Sequence, residues 1–399
     1  MHNIKKLALI MGCILTTVFF LSGCNQDKAK EELSSAESSQ TEDTVKENDK
    51  EESGETVGEA ADQAIAGVYT LPADFEPDII TVGPDTNKFK VGMVTNSGGI
   101  SDHSFNQSAW EGLCNLNSNN LATVSYIETH SDVEYEADLS KFAEEGYDVI
   151  WGIGYQFAYD LETTAQKYPD NHFAVVDYAY ENIPENVTCA TFKSQEPSFL
   201  VGYIAASVSK TGKVGFIGGQ DVPAIDLFKY GYMAGVAWAD KELGRETEVM
   251  TDYIGSFEDS VKGGQIARSM YDEGCDVIFH AAGGAGTGVI QAANSKGKYV
   301  IGVDCDQSYL APENVLTSAI KMVDVAISNI SVQYNLDDNI GGKNIEYGLA
   351  EHAVGIPEEH PNYSDELYDK VKELENQIIF NEIVVPVDEA SLEAFKKEL

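Results

Sequence analysis

The chain has 399 residues, more than one hydrophobic core usually organises, so two lobes are the default expectation. A formal charge of −40, from 26 basic against 66 acidic side chains, argues against nucleic acid and against a general attraction to anionic lipid. Hydrophobic residues at 43%, with 16 Phe and 20 Tyr, are ample for sizeable cores.

Residues 1–24 read as an export signal. Lys5 and Lys6 supply its positive end, and the apolar run from Leu7 to Leu21 is short for a membrane span. The run closes in Leu21-Ser22-Gly23-Cys24, which resembles the lipobox where lipoproteins are diacylated on cysteine. Residues 25–85 are predicted to be a disordered acidic linker. To about Gly67 the segment is Glu, Asp, Ser, Lys and Thr with few large apolar residues, too few to offset the entropy of ordering. Pro72, Pro77 and Pro84 keep the approach to the first strand irregular.

Val91 to Val94 is an apolar run of the kind that fills a strand buried on both faces. Asn96 to Gly99 makes a polar, glycine-rich turn. A helix opens at Ser104, whose spacing to Gln107 has the form of a capping box. Ala109, Trp110, Leu113 and Leu116 give that helix an apolar stripe, with Phe105 too early to belong to it. Further strands are predicted at 122–129, 147–153, 173–178 and 187–192, completing a first doubly wound lobe. A second alternating series starts with a helix at Pro197. Its strands are expected at 214–217, 249–254, 277–279, 299–303 and 315–320, and its helices include 227–243 and 263–271. A tail helix at 365–377 and a last strand at 383–387 finish the chain. The expected division is therefore residues 86–196 for one lobe, with a return segment around 322–340, and 197–321 for the other, with part of 341–399.

Candidate site residues cluster at or just past predicted strand ends: Asn96, Asp177, Phe257, Gly283, Gly284, Asp304 and Lys321. Open α/β sheets bring such positions to one rim, and two lobes facing rim to rim enclose a common cleft. Phe105, with Asn106 beside it, and Phe257 then sit on opposite lobes and sandwich a flat ring. Stacking of that kind is worth about 1–3 kcal/mol per base. Taken alone, each ring reads more readily as core, since most Phe residues are buried. Asp304 is the candidate for ribose, since a carboxylate accepts from two vicinal hydroxyls at once, and Lys321 balances its charge. A surface aspartate at a strand end is the plain alternative. The glycine-rich loop from Ala281 lacks the GK[ST] of a P-loop and misses the G-x-G-x-x-G register, which argues against a nucleoside triphosphate. Cys114, Cys189, Cys275 and Cys305 lack metal-ligand spacing and read as buried free thiols, with one disulfide as the alternative. The sequence carries no G-x-S-x-G elbow, no H-E-x-x-H helix and no convincing Cys-His pair, so neither catalysis nor a cofactor is expected.

The stretch KVGMVTNSGGISDHSFNQSAWEGL from Lys90 resembles the opening of the basic membrane protein family, purine-nucleoside-binding lipoproteins that feed ABC importers. FKSQEPSFLVGY from Phe192, VGFIGG from Val214, AAGGAGTGV from Ala281, IGVDCDQ from Ile301 and TSAIKMVDVA from Thr317 match in order and spacing. The resemblance implies a type I periplasmic-binding-protein fold of two doubly wound parallel-sheet lobes joined by a hinge of crossing strands. It also implies stacking rings at Phe105 and Phe257, a lipid anchor on Cys24 at the outer face of the cell membrane, and a permease and ATPase as partners. Asn96 departs from the family's usual Asp, which leaves the base open, and His103 reads as a solvated loop residue. A sugar or furanose-signal receptor of the same fold is the second reading, and a secreted nucleoside hydrolase the third.

Overall fold

The computed structural model describes residues 80–82, 89–336 and 339–399. The export signal with Cys24 and nearly all of the linker lie outside these residues. Within the predicted linker, Ile80–Val82 forms a strand, β1, that pairs antiparallel with residues 124–126. Pro72, Pro77 and Pro84, and the irregular chain predicted from them, lie outside the described residues.

The first sheet continues with β2 (Lys90–Thr95), β3 (Thr123–Glu128), β4 (Val149–Gly152), β5 (His172–Val176) and β6 (Val187–Phe192). A late strand, Lys343–Tyr347, pairs parallel with β6 and makes the seventh member. Every pairing except that of β1 is parallel. Val91, Met93 and Val94 are fully buried, as an uninterrupted apolar run between two helix layers requires. Three helices cross between these strands: α1 (Phe105–Ser118), α2 (Tyr135–Glu144) and α3 (Ala158–Lys167). Ala109, Leu113 and Leu116 of α1 are buried, whereas Trp110, predicted with them in the apolar stripe, is half exposed and packs edge-on to Tyr126.

The second sheet holds β7 (Lys213–Gly218), β8 (Glu248–Tyr253), β9 (Val277–Ala281), β10 (Tyr299–Asp304) and β11 (Val315–Lys321), with a two-residue edge strand at Val354–Gly355. Its helices are α4 (Gln195–Val208), α5 (Pro223–Leu243), α6 (Ser260–Asp272) and α7 (Gly286–Lys296). The chain returns to the first lobe in α8 (Val323–Asn335), where Ser328 Oγ donates to the Gly112 carbonyl of α1 at 3.1 Å. It crosses again after residue 347, and α9 (Asp365–Ile379) and α10 (Glu389–Glu398) pack on α4 and α5. The lobes are thus joined by three strand-to-helix or strand-to-strand crossings, near residues 193, 322 and 350.

Ile383–Val387, predicted as a strand, is a loop. Ile383 and Val385 are buried and Val384 is exposed, so the period of two is met by packing alone, and Pro386 has no N–H for a ladder. The closest helix pair is α4 with α5. Gly235 lies against the carbonyl of Phe199, Gly231 against that of Gln195, and Gly202 against that of Tyr232, so none has room for a Cβ. Gly235→Val is therefore expected to destabilise the protein by about 1–3 kcal/mol through overpacking against rigid backbone. Denaturant unfolding reads this directly, and an unchanged midpoint would mean that the pair slides apart freely.

Candidate functional site

The two sheets present their carboxyl ends to one pocket of about 650 Å³, open-mouth space included. From the first lobe come Asn96 beyond β2, Phe105 and Asn106 in the first turn of α1, and Asp177 one residue past β5. The second lobe contributes Phe257 beyond β8, Gly283 and Gly284 beyond β9, Asp304 ending β10 and Lys321 ending β11. All nine candidates named from the sequence thus border the same space.

Charge is concentrated at the meeting of the lobes. The Lys321 side chain is only 3% exposed and forms an ion pair with Asp177 of the other lobe. Its ammonium lies 4.7 Å from the centroid of the Phe105 ring and 5.0 Å from that of Phe192, so aromatic faces take the place of water around it. Asp304 is buried and accepts from the Ser104 hydroxyl of α1. Asp177 and Asp304 both hold left-handed backbone, at φ 63° and 66°. Two non-glycine residues in that region, each at a strand end beside the same pocket, mark a local cost that the surrounding structure sustains.

The start of α1 corrects the sequence reading. Ser104 makes no side-chain cap; its hydroxyl reaches Asp304 instead. The Asp102 carboxylate caps the helix, accepting from the backbone N–H groups of Ser104, Asn106 and Gln107 at 2.9, 2.9 and 3.0 Å. Asp102 is missing from the sequence candidates, as is Phe228, a buried ring in the second turn of α5 that also lines the pocket. An acidic residue just before a helix start was the available signal for the first; the second is indistinguishable from core without tertiary structure.

Several further contacts join the two lobes. Ser97 donates to Glu258, and the Tyr155 hydroxyl donates to Gln220 Oε1 at 3.3 Å. Gln307 Nε2 donates to the carbonyl of His103 at 2.9 Å, and His103 Nδ1 lies 3.0 Å from the Tyr309 hydroxyl. His103 is exposed as predicted, yet it is also a bridge between lobes. Phe257 lies over Gly219, where a side chain would run into its ring. The four cysteines 114, 189, 275 and 305 are free thiols, two of them buried and two half buried. Among the described residues, no group of three or more His, Cys, Asp or Glu is placed to hold a metal ion.

Burial pushes the Asp304 carboxyl up from an ordinary 3.8 to about 6. The Lys321 ammonium and the Ser104 hydroxyl oppose the rise, and Asp102 and Asp177 add to it. Between these values the folded protein binds more protons than the unfolded chain. This group's contribution to stability therefore falls as pH rises through the window and is a penalty at neutral pH. Ligand-free Asp304→Asn should accordingly melt above the wild type at neutral pH, with the difference closing toward about pH 4. A variant that melts lower throughout would show that Lys321 depends on the carboxylate more than burial costs it.

The family described as "Bmp: ABC transporter substrate-binding protein PnrA-like" matches residues 89–389. Basic membrane protein A of Borreliella burgdorferi is 42% identical over 315 residues, which cover 77% of this chain and 91% of that protein. A CD4+ T-cell-stimulating antigen of Listeria monocytogenes is 40% identical over 319 residues, 75% of this chain and 88% of that protein. Among solved structures, an ABC transporter solute-binding protein of Aeropyrum pernix K1 superposes with a TM-score of 0.69 at 27% identity, covering 77% of this chain and 97% of the other. A LacI family transcriptional regulator of Enterococcus faecium with bound ribose gives 0.52 at 12% identity, covering 68% and 98%, a likeness of fold alone.

Proposed function

The chain belongs to the Bmp family of PnrA-like ABC transporter substrate-binding proteins, and from that premise we propose that its ligand is a nucleoside, with a purine as the base. Members of this family act outside the cytoplasm, with a permease and its ATPase as partners, and the fold is the type I periplasmic-binding-protein fold. The observation that carries the nucleoside reading is the pairing, in one pocket, of a buried carboxylate with two aromatic rings from opposite lobes. The Asp304 carboxylate has lone pairs for the two vicinal hydroxyls of a ribose, with Lys321 beside it to offset the charge. Phe105 and Phe257 offer apolar faces to a planar base. A ligand touching both lobes favours the closed arrangement by its differential affinity for it, and hinge closure is the whole of the mechanism; the ligand leaves chemically unchanged.

Cys24 is proposed as the lipidated residue that holds the protein at the outer face of the membrane. Among the described residues no helix is long and apolar enough to cross a membrane, and two acyl chains give stable anchoring where one does not. Cys24→Ser should shift the protein from the membrane fraction to the medium; retention on the membrane would remove the anchor from that residue.

Calorimetry with nucleosides tests the ligand. Adenosine or guanosine should bind, free ribose should not, and Asp304→Ala should weaken nucleoside binding by more than about tenfold, the loss of a charge-assisted hydrogen-bond pair. Binding of pentose alone would favour the second reading, a sugar or furanose-signal receptor. Release of free base from inosine on incubation would favour the third, a nucleoside hydrolase. An unchanged affinity in Asp304→Ala would take that carboxylate out of the ribose role.

A further inference from the structure

The backbone carbonyl of His103 is where the second lobe takes hold of the first outside the pocket. Gln307 Nε2 donates to it at 2.9 Å and Cys305 Sγ at 3.4 Å. The His103 ring adds a third contact, with Nδ1 3.0 Å from the Tyr309 hydroxyl. Gln307 is fully buried, and its own lobe sets its orientation. Its Oε1 accepts from the Val303 N–H at 3.0 Å; a backbone N–H only donates, so the remaining terminal atom, facing the first lobe, is the nitrogen. The Gln307 N–H donates to Ser318 Oγ of β11 at 3.1 Å. Nothing in this support comes from the first lobe. On the opposite side, His103 holds left-handed backbone at φ 57°, between Asp102, which caps α1, and Ser104, which reaches Asp304. None of His103, Cys305, Gln307 and Tyr309 lines the pocket.

We propose that Gln307 and His103 form a latch on the closed arrangement, one that prolongs the stay of whatever ligand is bound without helping to choose it. Release requires the lobes to part, and parting breaks a hydrogen bond whose donor is already aimed and buried. The latch touches no ligand atom. Its free energy therefore enters the equilibrium between open and closed forms alone, and it scales the affinities of all ligands alike. The left-handed backbone at His103 is the strain accepted to present that carbonyl, and glycine would hold the same turn without it.

Gln307→Glu isolates the bond across the lobes, because the carboxylate still accepts from Val303 but turns an oxygen toward the His103 carbonyl. In the ligand-free full chain, alkylation of Cys305 by N-ethylmaleimide, read by peptide mass spectrometry against the half-buried Cys114, should run at least about fivefold faster in this variant than in the wild type. Dissociation of adenosine and of guanosine, followed by stopped flow, should quicken by a common factor of about fivefold or more, with their affinity ratio unchanged. His103→Gly keeps the turn and removes only the ring contact with Tyr309. It should move both readouts in the same direction by a smaller factor, and it decides the matter if Gln307→Glu does not fold. Unchanged labelling of Cys305 or unchanged dissociation in the folded variants overturns the latch, as does a shift in the adenosine-to-guanosine ratio. If neither nucleoside binds the wild type, the nucleoside reading falls and the labelling still judges the latch.

Discussion

An ammonium with almost no access to water lies where the two lobes meet, and much of the pocket is arranged around it. Lys321 comes from the second lobe, and its counter-ion, Asp177, comes from the first. Withdrawing either charge from its partner would strand the other in a poorly solvated place, at a cost of about 3–5 kcal/mol where such pairs have been broken. The pair therefore ties charge neutralisation to the approach of the lobes. Asp304, buried on the same side, is less well compensated, because Lys321 already serves Asp177 and the Ser104 hydroxyl offers one bond. A carboxylate with acceptor capacity to spare suits a ligand that brings hydroxyl groups.

The backbone supports this placement at some expense. Asp177 and Asp304 turn into left-handed conformations just as their strands end, which aims each side chain in a way that a continued strand would not. Such positions cost about 1–3 kcal/mol each and persist only where the surroundings over-determine them. Asp102 does related work on the opposite wall. By capping α1 with three accepted hydrogen bonds, it fixes the turn that carries Phe105 and Asn106 and leaves Ser104 free to face the second lobe. Contacts between lobes outside the pocket lining, such as Gln307 with His103, add ordinary hydrogen bonds to the closed arrangement. Three chain crossings between lobes permit opening by rotation, while α4 and α5 of the second lobe pack closely through glycines.

The alternation of strands and helices was legible because each parallel strand is an apolar run closed by a polar turn, as Val91 to Asn96 illustrates. The pocket was legible for the same reason: in such a fold strand ends converge, so Asp304 and Lys321 are found by position before anything is known of their contacts. What the sequence hid was tertiary. Ser104 and Gln107 have capping-box spacing, yet a carboxylate two residues earlier takes the helix N–H groups and the serine is used across the cleft. Ile383 to Val387 alternates like a strand but joins no sheet among the described residues. Phe228 looks like any core ring of a helix, and nothing in its local sequence says that it borders a cavity.

Identification of the small molecule carried by the purified protein tests the account's central claim most directly. The account predicts that denaturation releases an intact purine nucleoside, seen by mass spectrometry in about one-to-one ratio with the chain, as expected of a single clamped pocket. Release of a free pentose, or of a ligand with no sugar hydroxyls to meet Asp304, would contradict it.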